Sequence, residues 1–176
     1  HIAWNDRYKQ ARAFLFGNDE TEPDFEQALR LFREEAEDGN ALAIHDLGRM
    51  YADGLGVEID TDTAFGWYAK ALSAFEDIES VKENRYVEYR IGKMYAAGLG
   101  TEQDYEAAAG WFSEAVAKRH KYAQYSLAGL YFRGQGVEQS YETAFSLYLR
   151  AAVQHMPYAD YELAKMYRDG VGTAVN

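Results

Sequence analysis

Four histidines, His1, His45, His120 and His155, are the chain's only imidazoles. No two of them stand three or four residues apart, the spacing that would put two metal ligands on one helix face. His120 and His155 each fall just before a helical stretch, where a solvated or capping role accounts for them. The absence of cysteine removes thiol catalysis, disulfides and Cys-ligated zinc together. Adjacent acids such as Glu34-Glu35 read as a polar helix face, because acid–base work needs two carboxylates sharing a cleft. No serine has a nucleophile-elbow context. Four Gly-x-Gly turns (Gly54/Gly56, Gly98/Gly100, Gly134/Gly136, Gly170/Gly172) could pass for phosphate loops. None continues as Gly-x-Gly-x-x-Gly after a strand, and none is followed by Lys-Ser/Thr. The chain is accordingly read as no enzyme, with no catalytic residue, no metal ligand and no cofactor. Hydrolysis inside the chain stays as an alternative that would need polar groups converging in a pocket.

The glycine turns belong to a repeat. Each follows, by three residues, the Tyr that ends one of four related segments, at Tyr51, Tyr95, Tyr131 and Tyr167, spaced 44, 36 and 36 apart. A second track, Ala28, Ala64, Ala108 and Ala144, is spaced 36, 44 and 36, and a bulky pair follows each Ala (Leu31-Phe32, Trp67-Tyr68, Trp111-Phe112, Leu147-Tyr148). Two tracks sharing a period and its interruption define a repeat architecture. Apolar residues recur at three and four within each unit, as on a helix face. Gly closes the first helix of a unit in the left-handed conformation, and Asp24, Asp60, Asp104 and Ser140 open the second. Asp24 with Gln27 fits a capping box. The spacing predicts helix A over 4–16, 41–53, 85–97, 121–133 and 157–169, and helix B over 24–38, 60–75, 104–118 and 140–154.

The domain expectation is one repeat domain over 1–176. It divides into a degenerate capping unit at 1–39, a repeat with an insertion at 40–83, repeats at 84–119 and 120–155, and a truncated repeat of helix A alone at 156–176. Asn18-Asp19-Glu20 stands in the first unit where the others have Gly-x-Gly. Eight extra residues lie between Ala71 and Val87, with apolar residues three apart, so longer flanking helices are expected there. That corner reads either as a protruding contact or as a tolerated insertion at a hairpin tip. With no helix B after Gly172, Leu163, Met166 and Tyr167 are expected to lie under-covered, inviting further repeats, a partner or self-association.

Composition bounds the function. Hydrophobic residues make up 48% and aromatics 15%, which suits a packed core and disfavours disorder. A net charge of −11 repels phosphate backbones, so this segment is expected to bind no nucleic acid directly. No apolar run is long enough to span a membrane. The opening His1-Ile2-Ala3-Trp4 carries neither an initiator Met nor a signal-peptide pattern, and reads as part of a longer, cytoplasmic protein.

The pattern Leu-Gly-x-x-Tyr-x-x-Gly-x-Gly-Val followed by Ala-x-x-Trp-Tyr-x-x-Ala, best matched from Leu47 to Ala71, resembles the Sel-one-like repeat of the tetratricopeptide-like superfamily. The resemblance implies an all-α fold, a right-handed α/α superhelix of helix-turn-helix repeats, and an adaptor role. It departs from the disulfide-stapled branch of that family. In related tetratricopeptide units, helix A positions five before, two before and two after the repeated Leu tend to face a concave groove. Here they are Leu42, Tyr86, Tyr122 and Tyr158; His45, Tyr89, Tyr125 and Tyr161; and Arg49, Lys93, Gly129 and Lys165. The tyrosines could form a rigid amphipathic groove for a peptide or protein, with the basic positions fixing a carboxylate. They could equally pack each helix A against the next, and residue type does not decide between these. Residues 89–101 and 122–127 also resemble repeat arrays attached to relaxases, the mobilisation proteins of bacterial conjugative elements. That likeness implies an accessory module recruiting DNA-transfer components.

Overall fold

A computed structural model describes residues 1–173, which form nine α-helices and no strand. They are α1 (Asp6–Phe16), α2 (Phe25–Glu37), α3 (Ala41–Asp53), α4 (Thr61–Val81), α5 (Arg85–Ala97), α6 (Tyr105–Ala117), α7 (Lys121–Arg133), α8 (Tyr141–Val153) and α9 (Pro157–Asp169). Odd-numbered helices are the A members of helix-turn-helix hairpins and even-numbered helices the B members. The chain gathers into two compact units, one of residues 1–81 with 99–101, the other of 82–98 with 102 onward. Within each unit every helix packs on the next in sequence.

Two devices build the hairpins from α3 onward. At the first, Gly54, Gly98, Gly134 and Gly170 adopt left-handed φ between 65° and 70° and end helix A by donating back to Met50, Met94, Leu130 and Met166. The second glycine of the turn also marks a close approach. A Cβ on Gly136 would fall 2.2 Å from the carbonyl oxygen of Tyr105, at the start of the preceding helix B. At the second device, one residue serves both helices. The amides of Asp60, Asp104 and Ser140 donate to the carbonyls of Tyr51, Tyr95 and Tyr131 at 2.9–3.0 Å. Their side chains accept from the amides of Thr63, Ala107 and Thr143 at 2.9–3.1 Å, capping helix B. Asp24 does likewise, with Gln27 as the amide donor, but its own amide goes to Phe14, so the reciprocal arm of the expected capping box is absent.

The insertion is helical throughout. α4 has 21 residues where α2, α6 and α8 have 13, and 21 − 13 accounts for all eight. Phe75 is buried and anchors the added length, while Val81 at its tip is 87% exposed. One expectation fails. Leu163 and Met166 are not under-covered: they join Ala144, Leu147 and Tyr148 in a core, and Tyr167 sets its ring edge-on to Phe145 at 5.2 Å. The core shared with α7 and α8 is enough to bury that stripe of α9.

Candidate functional site

Each hairpin of the second unit places a tyrosine of helix A on the aromatic ring of its own helix B. Tyr89 lies 6.1 Å from Phe112, and Tyr125 lies 5.5 Å from Tyr148. Each also reaches the next helix A, Tyr89 meeting Tyr122 at 5.8 Å and Tyr125 meeting Tyr158 at 6.3 Å. The two tyrosine columns therefore interleave into one ladder across α5, α7 and α9. The inner members, Tyr89 and Tyr125, are half-buried, and burial raises both phenol pKa values above the ordinary range. Burial of Tyr148 beneath Tyr125 pushes its pKa up to about 12. The outer members, Tyr122, Tyr158 and Tyr161, remain 46%, 68% and 64% exposed. Rigid rings open on one face and fixed on the other are suited to contact at low entropic cost.

Cations sit on the same ladder. The Lys93 ammonium lies 5.6 Å from the Tyr89 ring centre and Lys165 4.7 Å from that of Tyr161; Arg90 holds Tyr86 both by its ring, at 5.7 Å, and by a 2.8 Å bond to the hydroxyl. Desolvation, with Arg90 second, lowers the Lys93 pKa. A groove of about 650 Å³ opens between these helices, with Phe112, Tyr125, Leu130 and Tyr148 in its apolar lining and Lys93, Arg133, Glu162 and Lys165 as its charges.

Of the ten residues singled out in the sequence, Lys93, Tyr125 and Lys165 line this groove. Tyr89, Tyr122, Tyr158 and Tyr161 carry the ladder and its cation, and Tyr86 stands beside them on α5. His45 and Arg49 are in the other compact unit. There His45 packs edge-on against Tyr68 at 5.1 Å, and Arg49 lies 5.3 Å from the Phe16 ring and 3.6 Å from Asp53. Leu42, the aliphatic member of the first column, is wholly buried. Arg133 was not anticipated. It belongs to the last turn of α7, and its guanidinium folds back over Gly129: a Cβ there would lie 3.0 Å from a guanidinium nitrogen. The gap at Gly129 in the basic column, with an Arg four residues later, is the signal in the sequence. Among the described residues, no group of three His, Asp or Glu side chains is placed to hold a metal ion, and no helix is long and apolar enough to cross a membrane.

A family profile described as the Sel1 repeat matches residues 8–40, 41–74, 86–120, 121–154 and 157–176. No curated protein matches the chain. Among solved structures, a Sel1 repeat protein from Oxalobacter formigenes is similar at 24% identity over 97% of this chain, with a TM-score of 0.72. A protective antigen of uropathogenic Escherichia coli with an SLR fold is 25% identical over 97% of the chain, with a TM-score of 0.58. An immunity protein from Pseudomonas aeruginosa is 23% identical over 90% of this chain and 70% of its own, with a TM-score of 0.51. The chain spans 66% of the length of the Oxalobacter protein and 42% of the Escherichia antigen.

Proposed function

The chain belongs to the Sel1 repeat family, and from that premise we propose that its second unit is a binding module that takes a peptide or protein segment along the tyrosine ladder of α5, α7 and α9. Sel1 repeats generally mediate protein–protein interaction, and proteins built from them are typically scaffolds without enzymatic activity. The observation that carries the reading is the exposure of Tyr122, Tyr158 and Tyr161 beside Lys93 and Lys165, over half-buried Tyr89 and Tyr125. Large aromatic surface with fixed rings and a hydroxyl at the rim is what interface hot spots are made of.

The test compares two triple variants of the whole chain. Tyr122→Ala, Tyr158→Ala and Tyr161→Ala strip the ladder; Tyr141→Ala, Leu149→Ala and Val153→Ala strip exposed apolar side chains from α8. Both sets should keep the helical far-UV circular dichroism. Protein captured from an extract should be lost with the first set and retained with the second. Capture unchanged by the ladder variant refutes the assignment. The placement of this module in a relaxase rests on the likeness of residues 89–101 and 122–127 alone. It is tested by looking for a metal-binding histidine cluster in the upstream part of the parent gene.

A further inference from the structure

The chain carries a net charge of −11, yet the groove beside α5, α7 and α9 is lined by three cations and one carboxylate: Lys93, Arg133 and Lys165 against Glu162. Glu162 is bound to Lys165 at 3.2 Å. Lys93 and Arg133 have no carboxylate partner among the described residues; Arg133 donates only to the neutral Gln135 amide, at 2.7 Å. Elsewhere in the second unit Lys118 has Glu83, Glu88 and Glu114 within 4 Å, and Arg168 has Asp169. These two charges line a concave surface with an apolar floor, where a charge is screened less than on an open face.

Gly129 contributes to this concentration of charge. It occupies the position that holds Lys93 in one repeat and Lys165 in another, and its lack of a side chain leaves room for the Arg133 guanidinium against the helix. The cation missing from the column is restored four residues on, as a planar donor fork suited to a carboxylate.

The geometry points to an acidic peptide segment of a partner protein as the groove's occupant, with carboxylates on Lys93 and Arg133 and an apolar side chain against the partly exposed rings of Tyr105, Tyr125 and Phe132. This rests on the reading of the ladder as a binding face and specifies the chemistry of its guest. A basic segment would face like charge at Lys93 and Arg133, which costs affinity at a concave site. An uncharged one would leave both cations desolvated without compensation.

Selection from a displayed library of random dodecapeptides on the intact chain tests this. Enriched sequences should be rich in Asp and Glu with an aromatic or aliphatic residue among them. A synthetic, fluorescein-labelled member should bind in anisotropy titrations with an affinity that falls as salt rises. Lys93→Gln and Arg133→Gln should each weaken it about tenfold, the equivalent of about 1.4 kcal/mol, and Lys93→Glu with Arg133→Glu should abolish it. Neither change breaks an ion pair, and retained circular dichroism checks the fold. Enriched peptides that are neutral or basic, lost with the ladder variant but indifferent to Lys93 and Arg133, overturn the acidic guest and leave the binding face standing. Failure to enrich any peptide that depends on the ladder overturns the binding face itself.

Discussion

Four helix-interior glycines should respond to alanine in opposite directions. Gly66 in α4 and Gly110 in α6 have nothing within 4 Å of an added Cβ. Gly48 in α3 and Gly92 in α5 lie under rings: the added Cβ would meet Tyr68 at 2.7 Å and Phe112 at 2.6 Å. All four gain the helix-propensity difference, about 0.8–1.0 kcal/mol per site. At Gly66 and Gly110 nothing opposes it, so each Ala variant should be about 1 kcal/mol more stable. At Gly92 a normal carbon contact is about 3.5–4 Å, so the Phe112 ring must retreat by about 1 Å. That ring is 2% exposed and has little free space to retreat into. Overpacking of this kind costs about 1–3 kcal/mol, which cancels or exceeds the gain. Gly92 and Gly110 share one compact unit, and Gly48 and Gly66 the other, so each pair is its own control. Urea unfolding followed by circular dichroism, with midpoints compared at constant m, should separate the members of each pair by about 1–3 kcal/mol. Gly92→Ala and Gly48→Ala as stabilising as their partners would refute the idea that these glycines exist to seat a ring.

Other perturbations have equally definite outcomes. Lys118→Gln should cost about 3 kcal/mol by stranding the buried Glu88 carboxylate. Adding Glu88→Gln should recover most of it, because the pair then copies Gln124–Gln154, bonded at 2.9 Å one repeat later; urea midpoints measure both. Arg119 and His155 hold φ of 62° and 64°. Arg119→Gly and His155→Gly should therefore leave stability unchanged or raise it by up to about 1 kcal/mol, where glycine inside a helix would lower it by that much. His120, set against Tyr89 and Tyr122 with its Nε2 buried and unpartnered, has its pKa lowered by burial and then by Arg85 and Lys121. The unfolded chain then binds its proton more readily than the folded one. The stability due to neutral His120 is complete above the unfolded value near 6.5 and is lost as pH falls through the folded value. His120→Gln should flatten the change in urea midpoint between roughly pH 7.5 and roughly pH 5.5, about one unit either side of the ordinary imidazole value.

The helix A bounds were legible to the residue at 41–53, 85–97, 121–133 and 157–169, because each ends on a glycine whose left-handed geometry leaves no alternative. α1 starts at Asp6 and not at residue 4, because Asn5 caps it by accepting from the Tyr8 amide at 2.8 Å. The helix B predictions included their caps, and α4 runs on to Val81, beyond the expected end at 75. The tyrosine columns could be counted in the sequence, but their pairing could not. Tyr89 with Tyr122 and Tyr125 with Tyr158 is a relation between helices, set by where each hairpin rests on the next. Arg133 escaped notice for a similar reason: its charge acts four residues away from where its backbone stands. The burial of Leu163 and Met166 depended on how much of α9 the preceding hairpin covers, which periodicity does not report.

A chain made of near-copies risks folding with the wrong halves matched. α5 closes on α6 through an ion pair at Glu88 and Lys118, whereas α7 closes on α8 through two amides, Gln124 and Gln154, at the same positions. Exchanging partners would set Glu88 beside Gln154 and Lys118 beside Gln124. That leaves a carboxylate in the interior with no counter-charge, at a cost of several kcal/mol. The difference in chemistry between the two closures thus works as a label that keeps neighbouring copies from trading halves, in a molecule whose hydrophobic surfaces alone would hardly tell them apart.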